Sequence, residues 1–306
     1  MLEKLRKVFV VAIAGDSGSG KTTFAKGIEN IFGDVTTITL DDYHRYDREQ
    51  RRKLGITPLN PEANDLELAR KHIEGLKRGE KVLKPTYDHR TGTFGEWEVI
   101  EPSPIVVVEG LHALYDGIRD VVDFGIFVDP AREVKRVWKI RRDVHERGYA
   151  MEEVVKEIIA REPDYKRFVD FQKIYADVVI KIYPSSIVTG DRLKFLLERE
   201  ETYRVRLIFR EIGREKLKLN LDLADAIAAE KDFSLTFYSD YYYGKRASFV
   251  EIDGFVSVEI VESLFDSLRR EIGGRKFEIK SDYVNSIEFA RLLVAWRLAQ
   301  FLKSEL

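Results

Sequence analysis

The chain contains no cysteine. That excludes disulfides, thiolate catalysis and cysteine-ligated zinc. No apolar run approaches the length of a membrane span, and no internal repeat or low-complexity tract is present. Neither charge sign dominates: 51 Lys and Arg face 53 Asp and Glu, a formal net charge of -2. Without a global basic field, neither a nucleic acid nor an anionic membrane is indicated as a partner. Met1–Lys7 leads directly into the first apolar stretch with no signal-peptide core, so the expected location is cytoplasmic. Charge and core-forming residues are plentiful, at 34% and 44% of the 306 residues. The length suggests about two domains.

One stretch carries the most chemistry. Gly15-Asp16-Ser17-Gly18-Ser19-Gly20-Lys21-Thr22-Thr23 fits the phosphate-loop pattern G-x-x-x-x-G-K-[ST]. The apolar run Val8–Ala14 before it has strand character, and Lys21–Phe32 after it has helical character. Glycines let successive N–H groups converge on one oxyanion cluster, and the helix start adds partial positive charge. Lys21 can reach the β- and γ-phosphates, and the Thr22 hydroxyl can sit on Mg²⁺.

Up to about residue 185, strands and helices alternate. The pattern predicts strands at Thr36–Leu40, Ile105–Val108, Phe124–Val128 and Asp177–Tyr183, and helices at Asp65–Lys77, Arg132–Arg147 and Met151–Arg161. Continuous apolar strands separated by helices imply a buried parallel sheet. After Pro184 the period drops to two, with strands expected at Arg204–Glu211, Lys216–Leu223, Phe233–Phe237 and Phe255–Ile260. Gly273-Gly274 marks a turn and Asn285–Leu302 a closing helix. The expected fold is α/β. A phosphate-loop domain would span residues 1–185, and an α+β region rich in antiparallel strands residues 186–306. The pattern leaves open whether the second part stands alone or extends the first sheet.

Ligands of parallel sheets bind at the carboxyl ends of strands. Leu40-Asp41-Asp42-Tyr43-His44-Arg45 stands at such an end, with Arg48 just beyond. A carboxylate there can accept the proton of an attacking hydroxyl; the plainer reading is an Asx-type turn or helix cap. Glu109, closing the strand Val106-Val107-Val108, matches the position of the second magnesium-holding group of phosphate-loop enzymes; the plainer reading is a buried carboxylate paired with a lysine. Lys139, Arg142, Asp143 and Arg147 fall at i, i+3, i+4 and i+8, one helix face. Such a face is either solvated or a cluster for two sets of phosphates. Arg161 adds a cation just ahead of Pro163.

Together with Pro85-Thr-Tyr87-Asp-His89, these motifs closely resemble the phosphoribulokinase/uridine kinase family, continuously over about residues 8–185, and its phosphoribulokinases in particular. The resemblance implies Asp41 as catalytic base, Glu109 and Thr22 near the metal, and His44 and Arg48 as sugar-phosphate contacts. It assigns Lys139, Arg142 and Arg147 to transfer and acceptor binding. Asp143 would be a second functional acid, Tyr87 and His89 acceptor-side residues, and Arg161 a lid arginine. ATP and Mg²⁺ are the implied cofactors and a homodimer the implied assembly. Thiol-regulated members carry cysteines where this chain has Ser19 and Thr39, so it looks more like the compact archaeal type.

The expected reaction is transfer from ATP to the 1-hydroxyl of D-ribulose 5-phosphate. One alternative is a uridine/cytidine-type nucleoside kinase. Another is a nucleotide-gated regulatory module.

Overall fold

The computed structural model describes residues 7–187, 203–211, 233–272 and 282–305. The expected strand at 216–223 and the turn at 273–274 lie outside them. Strand β1 (Phe9–Gly15) is buried along its whole length. Its side chains alternate between two cores: Phe9, Val11 and Ile13 face one, and Val10, Ala12 and Ala14 the other. Helix α1 (Lys21–Phe32) starts where Gly20 turns with φ +92° and stops at Gly33. It buries Phe24, Ala25, Ile28, Ile31 and Phe32, one stripe at helical spacing. Each fully buried Phe or Ile contributes roughly 1.5–3 kcal/mol.

Strand β2 (Val35–Thr39) ends in a 3₁₀ turn over Leu40–Tyr43. Helix α2 (Arg48–Leu54) and helix α3 (Leu66–Lys77) follow. Two small antiparallel pairs come next, β3 (Val82–Lys84) with β6 (Glu98–Ile100) and, between them, β4 (Tyr87–Asp88) with β5 (Thr93–Phe94). Strands β7 (Ile105–Gly110) and β8 (Phe124–Pro130) complete the centre of the sheet. Helix α4 (Arg132–Arg141) runs into a π-helical turn over Arg142–Glu146, so the segment expected as one helix changes pitch where Asp143 is drawn inward. Helix α5 (Met151–Ala160) and strand β9 (Val178–Pro184) follow.

The remaining strands join the same sheet. β10 (Tyr203–Arg210) pairs antiparallel with β9. β11 (Phe233–Tyr242) and β12 (Lys245–Ser257) form a hairpin whose second strand pairs with β10. The strand order is β11-β12-β10-β9-β8-β1-β7-β2, with the five strands from β9 to β2 mutually parallel. The expected strand at Phe255–Ile260 is overturned in its second half. The chain turns into helix α6 (Val258–Ile272) at Val258, and Val261, Phe265 and Leu268 supply the buried stripe. The short strand β13 (Tyr283–Asn285) leads into helix α7 (Ser286–Ser304). Asn285 and Glu288 cap α7 reciprocally. The helix packs against α1, α6, β10 and β12 and buries most of its length.

Among the described residues no helix is long and apolar enough to cross a membrane.

Candidate active site

A cavity of about 1090 Å³ opens over the carboxyl ends of the parallel strands. Its floor is the loop between β1 and α1. Gly18, at φ +76°, lies so close to α4 that an added Cβ would stand 3.1 Å from the Lys139 Cβ. A Cβ on Gly20 would stand 3.2 Å from the Trp138 ring. Glycine is therefore required twice, for backbone conformation and for packing.

Side chains lock the loop in place. The Asp16 carboxylate accepts from the Ser17 N–H at 2.7 Å, from Lys135 at 2.8 Å and from Arg161 at 3.1 Å. Its carboxylate is thus spent on holding the loop, and the residue does not line the cavity. Burial raises its pKa, and Arg161 and Lys135 outweigh that, holding it below the usual carboxylate range. Lys21 donates to the Asp16 carbonyl at 2.8 Å. Burial weakens its hold on the proton, while Asp41 and Glu109 favour the ammonium. Ser19 is fully buried.

In strand register Glu109 lies between Ile13 and Thr39. One of its oxygens stands 3.5 Å from the Thr22 hydroxyl and 3.4 Å from that of Thr39. The other is buried without a hydrogen-bond partner among the described residues. Burial raises its pKa against the pull of Lys21.

The two adjacent aspartates diverge. Asp42 receives Lys84 at 2.7 Å and the Tyr87 backbone N–H at 2.9 Å. It thus ties β3 and β4 to the end of β2. Asp41 lines the cavity and lies 3.2 Å from His89 Nε2. Burial opposes its ionisation, but the hydrogen bond from His89, the nearby imidazoles of His44 and His89 and the Lys21 ammonium prevail and hold it well below the usual carboxylate range.

Burial lowers the His44 pKa to about 4 despite the pull of Asp41, leaving a neutral imidazole at pH 7. Asn64 donates its amide to the carbonyls of Pro58 and Asn60, so its oxygen faces His44 Nδ1, 2.7 Å away. That fixes the proton on Nδ1 and leaves Nε2 as an acceptor. Arg48 donates to the His89 carbonyl, and its guanidinium lies 5.3 Å from the Tyr149 ring centroid. Tyr87 is buried edge-on between His44 and His89, and its hydroxyl accepts from Arg51 at 2.8 Å.

Sequence reasoning missed Arg51. The available signal was spacing: Arg48, Arg51 and Arg52 fall at i, i+3 and i+4 on α2, and all three line the cavity.

The face of α4 is not a solvated one. Lys139 and Asp143 are 5% and 0% exposed. Asp143 gathers Lys139 at 2.6 Å, Arg142 at 2.9 Å and Arg147 at 3.3 Å. Burial raises its pKa, and these cations more than reverse that. With both oxygens engaged it organises cations rather than accepting a proton. Arg142 also reaches Ser17 of the loop at 3.0 Å. From α5, Glu157 meets Lys139 at 3.3 Å and Arg161 at 3.2 Å. Of the expected site residues, the cavity lining includes Ser17, Gly18 and Gly20–Thr23, and further Asp41, His44, Arg48, Tyr87, His89, Glu109, Lys139, Arg142, Asp143, Arg147 and Arg161. It does not include Gly15, Asp16 or Ser19.

A family model described as phosphoribulokinase/uridine kinase matches residues 10–189, more than half of the chain. Over 214 residues the chain is 43% identical to a phosphoribulokinase of Synechocystis, covering 69% of this chain and 62% of that protein. The chain thus spans less than two thirds of that relative's length. It is 32% identical over 182 residues to a uridine kinase of Geobacillus, covering 57% of this chain and 86% of that one. The solved structure of a phosphoribulokinase from Rhodobacter spheroides shares the fold, with a TM-score of 0.56 at 18% identity over 95% of this chain and 99% of that one. Matched by this family model over more than half of its length, the chain belongs to the phosphoribulokinase/uridine kinase family.

Proposed function

We propose that the chain transfers the γ-phosphoryl group of ATP to the 1-hydroxyl of D-ribulose 5-phosphate, giving ribulose 1,5-bisphosphate and ADP. One observation carries the reading. Opposite the phosphate loop, an ionised Asp41 shares the cavity with Arg48, Arg51 and Arg147. The acceptor wall therefore offers a carboxylate for a hydroxyl and guanidinium groups for a second phosphate. The 43% identity to a phosphoribulokinase points the same way.

Phosphoryl transfer asks mainly for alignment and charge stabilisation. The loop N–H groups and the start of α1 hold the triphosphate. Lys21 leaves the Asp16 carbonyl for the phosphates. Arg142 and Lys139, steered by Asp143, face the transferred group. Asp41 accepts the hydrogen bond of the attacking hydroxyl and takes its proton as the new P–O bond forms. Because Asp41 is a weak base, it orients the hydroxyl early and receives the proton late. Neutral His44 accepts from a sugar hydroxyl through Nε2.

The residues present fit a magnesium ion. The partnerless Glu109 oxygen, with the Thr22 hydroxyl beside it, is the chemistry of a hard-cation site completed by phosphate oxygens and water. Bound there, the ion would neutralise phosphate charge.

A homodimer is proposed on the sheet edge. Among the described residues β11 pairs with β12 alone, and Phe237 and Tyr241 on it and Tyr243 in the following turn are exposed.

Ribulose 5-phosphate, uridine and cytidine assayed side by side for ADP release test the reading. Strict dependence on the sugar phosphate supports it. A preference for uridine supports the nucleoside kinase, and indifference to every acceptor supports the regulatory module.

A further inference from the structure

The cavity continues beyond the phosphate loop, on the side away from Asp41. β2 and β7 lie on one side of β1 and carry the acceptor wall. β8, β9 and β10 lie on the other. There the lining comes from Tyr203 at the start of β10 and from Glu288 and Arg291 on α7. A triphosphate on the loop, with its terminal phosphate toward Glu109 and Asp41, must direct its nucleoside to this second side.

Both charged groups are set for a ligand. Glu288 and Arg291 sit one turn apart on α7, at i and i+3. Arg291 has no hydrogen bond or ion pair among the described residues and approaches α1 closely. A Cβ on Gly27 would stand 2.6 Å from its Nε. Glu288 turns one oxygen, Oε2, to the Asn285 N–H at 3.4 Å. Oε1 has no hydrogen bond or ion pair among the described residues. One acceptor oxygen beside a forked donor matches a base edge with a single amino group next to a ring nitrogen. Adenine presents that edge. Guanine would ask for two acceptors, and hypoxanthine has no amino group to donate.

Resting on the kinase reading, we infer that α7 forms the nucleobase subsite, with Glu288 accepting from the exocyclic amine of adenine and Arg291 donating to a ring nitrogen. These residues lie beyond the matched stretch 10–189, so the base is read by a part of the chain outside the family profile.

Two variants test it: Glu288→Gln, which retains the helix cap, and Arg291→Met, which retains the aliphatic stem. Calorimetry gives the ADP affinity without turnover. Arg291→Met should weaken ADP binding by on the order of ten- to a hundredfold, the loss of one charge-assisted hydrogen bond. Its KM for the sugar phosphate should stay unchanged. Glu288→Gln can donate to the hypoxanthine carbonyl, so the ratio of kcat/KM for ATP over inosine triphosphate should fall by a similar factor. Unchanged ADP affinity in Arg291→Met together with an unchanged ratio in Glu288→Gln overturns the subsite. Loss of ADP affinity in a protein that does not phosphorylate ribulose 5-phosphate would uphold the subsite and overturn only the acceptor.

Discussion

Mild acid should destabilise this fold through two buried histidines. His44 is 7% exposed and His112 1% exposed. His112 Nε2 donates to the Leu59 carbonyl at 2.9 Å. Burial lowers each pKa from 6.5 to about 4, against the pull of Asp41 on His44 and of the Leu59 hydrogen bond on His112. The unfolded chain therefore binds more protons than the folded one between these values, and stability rises with pH through that window. From pH 7 to pH 5 each histidine removes about 2 kcal/mol, so the pair removes about 4 kcal/mol. Glu109 and Asp177, raised by burial, titrate in the opposite sense and blunt the total slope. The His112→Gln variant isolates one contribution, because glutamine can still donate to Leu59 but does not titrate. Urea unfolding at pH 7, 6 and 5 should give a shallower pH dependence for the variant, by about 2 kcal/mol over the range. Equal slopes for the two proteins would refute the assignment of a neutral, buried His112.

Three further perturbations address the site. Asp41→Asn should lower kcat by about 10²–10⁴ while ADP affinity, read by calorimetry, is retained. Gly18→Ala places a methyl 3.1 Å from the Lys139 Cβ at φ +76°, so nucleotide binding should be lost while the fold, followed by circular dichroism, persists. Lys84→Met removes one of the two partners of Asp42 and loosens β3 from the end of β2, leaving the Tyr87 N–H of β4 as the tie. It should raise the KM for the acceptor severalfold with ADP affinity unchanged; a rise in the nucleotide KM instead would move this clamp to the other half of the cavity.

The parallel half of the fold was legible because its signals are local. A continuous apolar strand, a glycine loop and a helix stripe each lie within a dozen residues. Helix α2 shows a signal that passed unnoticed: Asp47 and Gln50 form a capping box, three residues apart, with no apolar stripe behind it to draw attention. Helix α6 was misread because its first residues prolong the alternation of β12. Phe255, Val256, Ser257 and Val258 suit a strand, and only the deeper stripe of Val261, Phe265 and Leu268 reveals the change of period.

The site divides along a different line. Sequence order brings Asp41, His44 and Arg48 into one turn and helix, and Lys139 to Arg147 into another, so those clusters could be named from spacing. What spacing cannot give is which neighbour satisfies which charge. Asp41 and Asp42 are adjacent and alike, and only the contacts of Lys84 and the Tyr87 N–H distinguish the anchor from the residue left facing the cavity. The protonation of His44 likewise depends on Asn64, twenty residues away, whose orientation is set by two carbonyls. Arg291 meets the cavity only because antiparallel β10 and β12 extend the parallel sheet and seat α7 against α1. A sheet that continues past β9 therefore does more than enlarge the core. It places the last helix beside the phosphate loop, where it can complete a nucleotide site that the first half of the chain leaves open.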